Sequence, residues 1–449
     1  MRKKTIATMV LMLWMGMGSF AAAGRLPIQE AHLENGLRIL VLEDHAWPVA
    51  TFQVWYRVGS RDEHPGITGI SHLLEHMAFK GTSRGGPEEY SQIIQKNGGD
   101  DNGWTSWDYT CFFAELAADR LNIAMDLLAG QMTNLLLDSL ELKSEREVVK
   151  EERRLGENSP YEQVFEEMMA AAFKSHPYQW PVVGWMPDLD AITREELERY
   201  YRTEYLPGNA TAVVVGDVKT KEVVEAVRRY FGSVPVGNPP VEPQILEPEQ
   251  KGERRVKVVK QAEMPAVMIG YHTVGIGDAD EYVLTVVEKI LSGGQSARLY
   301  HDLVYEKQLA LQAEAGILQA REPMLFWAWG IPQIGHTTDE LETAIYGELE
   351  RLQREPVSDG ELAKAKNQLQ ASFVFDQEKV SGLGEAVGYY DALQSYTYLD
   401  TYLDRIQAVT KEDIVRVSRK YFGEDNRTVA ILVPKQSQAD EQAPLQSRP

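Results

Sequence analysis

Gly69-Ile-Ser-His72-Leu-Leu-Glu75-His76-Met-Ala-Phe-Lys-Gly81 is the stretch from which the rest of the chain is read. Its apolar members, Ile70, Leu73, Leu74, Met77 and Phe79, fall at the spacing of a buried helix. On such a helix His72 and His76 stand one turn apart and project from one face. That is a metal-ligand spacing, and Glu75 shares the face, within reach of a metal-bound water without being a ligand. Histidine is scarce, 9 of 449 residues, so a chance His-x-x-Glu-His is improbable. Taken singly, each residue also has a structural reading: a histidine on an apolar helix is commonly a hydrogen-bonded core residue, and Glu75 could be ion-paired.

Hydrolytic zinc usually takes three protein ligands and leaves one position for water. The downstream region that offers a third is Leu142-Lys-Ser-Glu145-Arg-Glu147-Val-Val-Lys-Glu151-Glu152-Arg-Arg-Leu-Gly156. Glu145 and Glu152 lie two helical turns apart and share a face. By spacing alone such a charged run is more often a solvated helix face.

His72 to His76 with Gly69 and Phe79-Lys-Gly-Thr82, together with Glu145-Arg-Glu-Val-Val-Lys-Glu-Glu152, resemble the inverted-zincin peptidases of the pitrilysin, insulin-degrading enzyme and mitochondrial processing peptidase family. The resemblance implies Zn²⁺ held by His72, His76 and Glu152, with Glu75 as general base and Glu145 as a second acid that orients a ligand. It implies an α+β fold of two duplicated domains, each a mainly antiparallel sheet covered by helices, the second closing over the first as the far wall of a chamber. In similar peptidases the segment corresponding to Gly98-Gly-Asp-Asp-Asn102-Gly-Trp-Thr105 is an edge strand to which a peptide adds, and Asn102 then resembles the residue that contacts substrate. Gly103 stands where the family usually has Ala. Substrate is thus expected to be held by backbone pairing rather than by a deep side-chain pocket.

Internal repetition supports the duplication. Ala191-Ile-Thr-Arg-Glu-Glu-Leu-Glu-Arg-Tyr-Tyr201, followed by the apolar Thr211 to Val215, recurs as Ala408-Val-Thr-Lys-Glu-Asp-Ile-Val-Arg-Val-Ser418, followed by Thr428 to Val433. Val54-Trp-Tyr56-Arg-Val-Gly before the motif helix is echoed by Ile269-Gly-Tyr271-His-Thr-Val-Gly before Tyr282 to Leu291. Thr285, Glu288 and Lys289 then occupy the places of His72, Glu75 and His76, so only the first half is equipped for metal. The domains expected are 24–234 and 251–434, joined by a proline-rich connector at 235–250 and followed by a polar tail at 435–449. Strands are expected over 37–42, 50–58, 109–116 and 211–216, and helices over the motif, 87–96, 119–136, 142–156, 161–173 and 194–201.

One departure from the family concerns partners. In members that act alone or as homodimers, a segment like Leu-Arg-x-Lys-x-x-Leu-x-Tyr supplies an Arg and a Tyr to the active site. Here Ser296-Ala-Arg-Leu299 matches its start, but Val304 and Leu311 stand at the two positions. Because some members divide zinc and these residues between two chains, a heterodimer with a homologous non-zinc subunit is expected. His176 resembles a family landmark and is read as structural.

Met1-Arg-Lys-Lys-Thr, the apolar Ile6 to Phe20 and Ala21-Ala-Ala23 form the pattern of a signal peptide over 1–23, with export, most simply to a bacterial periplasm, as the expectation. Cys111 is the sole cysteine, so no intramolecular disulfide is possible, and it reads as a small core residue. A formal charge of -21 disfavours nucleic-acid binding and is compatible with basic peptide substrates. The two functions in view are a zinc endopeptidase of unfolded peptides and a non-catalytic assembly subunit of the same fold; members of the second kind usually lose a ligand or the base, and this chain has lost neither.

Overall fold

The computed structural model describes residues 25–83, 85–237 and 245–435. The expected signal peptide, part of the connector and nearly all of the tail lie outside these described residues.

In the first half, β1 (Gln29–His32), β2 (Arg38–Glu43), β3 (Val49–Tyr56), β4 (Asp100–Thr105), β5 (Thr110–Ala117) and β6 (Ala210–Gly216) form one sheet in the order β1-β2-β6-β3-β5-β4. In the second, β7 (Arg254–Lys260), β8 (Ala266–His272), β9 (Ala310–Ile317), β10 (Leu325–Pro332) and β11 (Arg427–Pro434) take the order β7-β11-β8-β10-β9. Strand for strand the second sheet repeats the first without β1. Pairing is antiparallel except between β2 and β6 and between β7 and β11. The fold is thus the α+β duplication expected, with mainly antiparallel sheets.

The repeated sequence has a local cause. Thr193 caps the helix Arg194–Glu204 by accepting from Glu196 N–H while the Glu196 carboxylate accepts from Thr193 N–H, and Thr410 and Asp413 repeat this reciprocal cap on the helix Lys411–Tyr421. In the first half, β1 and the α-helices Met186–Ala191 and Thr220–Phe231 are absent from the sequence reading; in the second, β7, β9, β10 and the helices Thr338–Arg354, Asp359–Phe375, Val380–Leu393 and Tyr398–Ala408 are absent too.

The central strands read as unbroken apolar runs because both faces of each sheet are covered. On β2, Ile39 and Val41 face a core with Phe52, Val54, Leu73 and Leu74, whereas Leu40 and Leu42 face the opposite side with Trp55, Val213 and Val215. That opposite side is covered by a helix from the other half, Val380–Leu393, through Val380, Leu383 and Val387. The exchange is reciprocal. The helix Pro160–Ala172 sets Val164, Met168 and Ala172 against Val258, Met268, Ala430 and Leu432 of the second sheet.

Close approach makes the first exchange possible: a Cβ at Gly388 would lie 2.1 Å from the Trp55 ring. Fully buried Asp391, at the end of the same helix, accepts from Arg38 Nη1 at 2.6 Å, Arg57 Nη2 at 3.2 Å and Thr211 Oγ1 at 2.8 Å. A buried carboxylate needs such partners, because removing one leaves an uncompensated charge at a cost of about 3–5 kcal/mol.

Candidate metal centre

The motif forms the helix Ile70–Ala78, with Ile70, Leu73, Leu74 and Met77 buried. Its start is fixed by two devices. Gly69 has φ +86°, and a Cβ there would meet Val183 O at 2.4 Å. The Glu63 carboxylate, 5% exposed, accepts from Gly69 N–H at 2.7 Å and Ser71 N–H at 2.9 Å, satisfying amides that have no partner within the helix. Burial pushes the Glu63 carboxyl up to about 8, against these hydrogen bonds.

The facing helix is Ser139–Asn158, whose cap Asp138 accepts from Leu140 and Glu141 N–H at 2.8 and 3.2 Å. Its buried residues are Leu142, Glu145, Val149 and Arg153, so the charged run is not a solvated face throughout. It brings Glu152 up to both histidines. Glu152 Oε2 lies 3.6 Å from His72 Nε2 and 3.6 Å from His76 Nε2, and the candidate donor atoms of the three residues all lie within 4.8 Å of one another. Bonds of about 2.0–2.1 Å in a tetrahedral zinc site separate ligand atoms by about 3.4 Å, so this set fits zinc with small adjustments.

Electrostatics favour the ligating forms. Burial, then the neighbouring His76, pushes His72 down to about 3, which keeps its imidazole neutral. His76 Nδ1 lies 3.2 Å from Glu145 Oε2, and Glu145 Oε1 lies 3.1 Å from Lys80 Nζ. A proton held on Nδ1 toward Glu145 leaves the Nε2 lone pair facing Glu152. His72 Nδ1, by contrast, is buried with no hydrogen-bond partner among the described residues.

Glu75, 9% exposed, lies on the ligand side of the motif helix; its Oε2 accepts from Thr105 Oγ1 at 2.7 Å. Burial raises its pKa, and the Thr105 hydrogen bond opposes that rise. Thr105 belongs to β4, the edge of the first sheet, so the edge runs up to the site. Asn102 is exposed on the same strand, with its Oδ1 accepting from Gly103 N–H at 2.9 Å, and it is not part of the His72, His76 and Glu152 cluster.

Sequence reasoning missed Lys80, Thr105 and Glu63. Glu63 reaches amides six and eight residues on, and Thr105 and Lys80 reach groups on separate elements; such contacts leave no periodicity to read, although Thr105 stood within the quoted glycine-rich segment. It also did not anticipate a side-chain pocket, yet a cavity of about 320 Å³ adjoins His72 and Glu152. His176 is buried away from the cluster, its ring 4.1 Å from that of Tyr178 and its Nδ1 accepting from Tyr178 N–H at 3.3 Å. Val304 lies in a π-helical segment, Leu299–Glu306, and Leu311, 48% exposed, on β9.

Residues 38–184 match the family model described as insulinase (peptidase family M16), and residues 191–369 match the one described as peptidase M16 inactive domain. A zinc protease PqqE of Helicobacter pylori is 31% identical over 433 residues, covering 95% of this chain and 97% of that protein. The chain belongs to peptidase family M16. Among solved structures, a protease from Helicobacter pylori superposes with a TM-score of 0.87 at 30% identity, covering 91% of this chain and 99% of that one. The periplasmic protease PqqL of Escherichia coli shares the fold, with a TM-score of 0.77 at 17% identity over 94% of this chain and 49% of that chain. Family membership and relatives named as zinc proteases support a peptidase function in general terms.

Proposed function

We propose that this M16 chain is a zinc-dependent endopeptidase that hydrolyses peptides or unfolded polypeptides in a chamber walled by its two halves. The observation that carries this reading is the approach of His72 Nε2 and His76 Nε2 to one oxygen of Glu152, with Glu75 on the same helix. His72, His76 and Glu152 are the residues to hold zinc, which when bound supplies Lewis-acid polarisation of a scissile carbonyl and acidifies water to a pKa of about 7.

The remaining work falls to the chain's own groups. Glu75 takes a proton from the attacking water and delivers it to the leaving amine, first as general base and then as general acid. Its burial raises the carboxyl toward the range where both directions of transfer are useful, and Thr105 holds one oxygen so that the carboxylate keeps a single orientation. Glu145, braced by Lys80, orients His76. Asn102, on the exposed edge strand, is assigned to contact a peptide that pairs with β4. Glu75→Gln is expected to retain zinc and to lose about 10²–10⁴-fold in kcat on a quenched peptide. Loss of zinc with partial activity would remove Glu75 from the base role.

The reading extends to assembly and location. Val304 and Leu311 supply neither a guanidinium nor a phenol, so activity is assigned to a heterodimer with a homologous non-zinc subunit. Co-expression with such a homologue should raise activity, and full activity of the purified chain alone would refute the division of labour. Export, with removal of residues 1–23, is part of the proposal and is checked by N-terminal sequencing of the protein from cell fractions.

A further inference from the structure

The turn that follows β4 is gripped by both halves of the chain. Within it Ser106 N–H donates to Tyr109 O at 2.8 Å, while from the segment ahead of the motif helix Ser60 N–H donates to Ser106 O at 3.1 Å and Arg61 N–H to Trp107 O at 2.8 Å. The approach is so close that a Cβ at Gly59 would lie 2.3 Å from Ser106 O. Asp108, 3% exposed, accepts from Tyr178 O–H through Oδ1 at 2.7 Å and from Arg321 N–H through Oδ2 at 3.0 Å.

Arg321 belongs to the second half, in the loop 318–324 between β9 and β10. Its neighbour Glu322 donates N–H to Tyr178 Oη at 3.2 Å, and its carboxylate accepts from Arg61 Nη2 at 2.9 Å. The loop is itself pinned. Ile276 N–H donates to Ala320 O at 2.9 Å, Thr273 N–H to Met324 O at 2.7 Å, and Arg321 Nη2 to Ala392 O at 3.0 Å. Tyr178 therefore links a carboxylate of the first half to an amide of the second, and buried Asp108 has a donor on each oxygen.

The strand before this turn depends on such an anchor. As the edge of its sheet, β4 is paired on one side alone, with β5, and of its residues only Gly103 is buried. Core packing thus does little to fix its last residue, Thr105, whose hydroxyl holds Glu75 Oε2 at 2.7 Å. Asp108 stands three residues beyond Thr105, at a point that both halves hold.

We propose that Asp108 is a positioning residue for peptide hydrolysis: by fastening the turn after β4 to the second half, it fixes Thr105 and, through Thr105, the carboxylate of Glu75. The proposal rests on the peptidase reading above. It gives the half without metal ligands a part in the catalytic geometry of its own chain.

The test measures kcat and KM on a quenched peptide with the full exported chain, loaded with zinc and supplemented with its partner if activity requires one. Asp108→Asn sets an amide NH₂ against one of the two donors. It should lower kcat by about 10–10²-fold, the scale of loss from a misplacement of about 1 Å, with KM within about threefold and zinc content unchanged. Tyr178→Phe removes one donor and keeps the ring, so it should give a smaller loss of the same kind, and it serves where Asp108→Asn does not fold. A merely structural lesion adds to others, whereas one that acts through Thr105 does not. In a Thr105→Val background, itself lowered in kcat, either variant should change kcat by less than about twofold. Full additivity, wild-type kcat in the folded variants or in Thr105→Val, or failure of both variants to fold would overturn the positioning role and leave the peptidase reading intact. Absence of cleavage by the zinc-loaded wild type would overturn the peptidase reading, and the positioning role with it.

Discussion

The two halves carry the same helix in the same place and use it differently. In the first, Ile70–Ala78 presents His72, Glu75 and His76 to a facing helix that brings Glu152 and Glu145. In the second, Ala279–Ser292 carries Thr285, Glu288 and Lys289 at the corresponding places. Thr285 turns its hydroxyl inward to donate to Glu281 O at 3.0 Å, and Lys289 Nζ pairs with Glu288 Oε1 at 2.7 Å. The facing helix, Asp359–Phe375, buries Ala365 and Leu369. A shared scaffold thus sets where donors can converge, and a few side chains decide whether they do.

The sharpest way to break the contrast is to impose the second half on the first. His72→Thr with His76→Lys should abolish zinc binding and reduce peptide cleavage to background, while the fold, which rests on Ile70, Leu73, Leu74 and Met77, persists by circular dichroism. A smaller effect is expected one contact further out. Glu145→Gln should weaken zinc about 10–100-fold in a chelator competition, because His76 Nδ1 loses its carboxylate partner; unchanged affinity would make Glu145 a packing residue.

The smallest effect separates a histidine poised for ligation from one kept for packing. Burial pushes His176 down to about 4, whereas the unfolded chain protonates it near the ordinary value of about 6.5. The unfolded state therefore binds the proton first, and the contribution of this residue to stability is complete above about pH 6.5 and lost as pH falls toward 4. In metal-free protein, His176→Gln should flatten the fall of the thermal midpoint over that range. An unaltered slope would show that His176 is not held neutral.

Much of this organisation was legible from residues alone, for physical reasons that differ by element. The motif helix shows in its apolar spacing, the shared face of Glu145 and Glu152 shows in their seven-residue separation, and the duplicated cap Thr-x-x-Glu or Thr-x-x-Asp marks the same helix start twice. Covered strands such as Thr211 to Val215 show as continuous apolar runs. Amphipathicity, however, says that a face is buried and not against what. Nothing in the pattern of Pro160–Ala172 or Val380–Leu393 tells that each covers the sheet of the opposite half. The same limit hid Glu63, Thr105 and Lys80, whose partners are fixed by tertiary approach. The pocket is likewise a product of packing, where Trp107 and Trp180 come together from separate segments.

Zinc stoichiometry measured by plasma mass spectrometry on the purified chain, beside Glu152→Gln and the Thr285→His, Lys289→His double variant, bears most directly on the central claim. The account predicts one zinc per chain, its loss in Glu152→Gln, and no second zinc in the double variant. Zinc that persists in Glu152→Gln, or a wild-type chain that takes up none, would contradict a metal centre built from His72, His76 and Glu152.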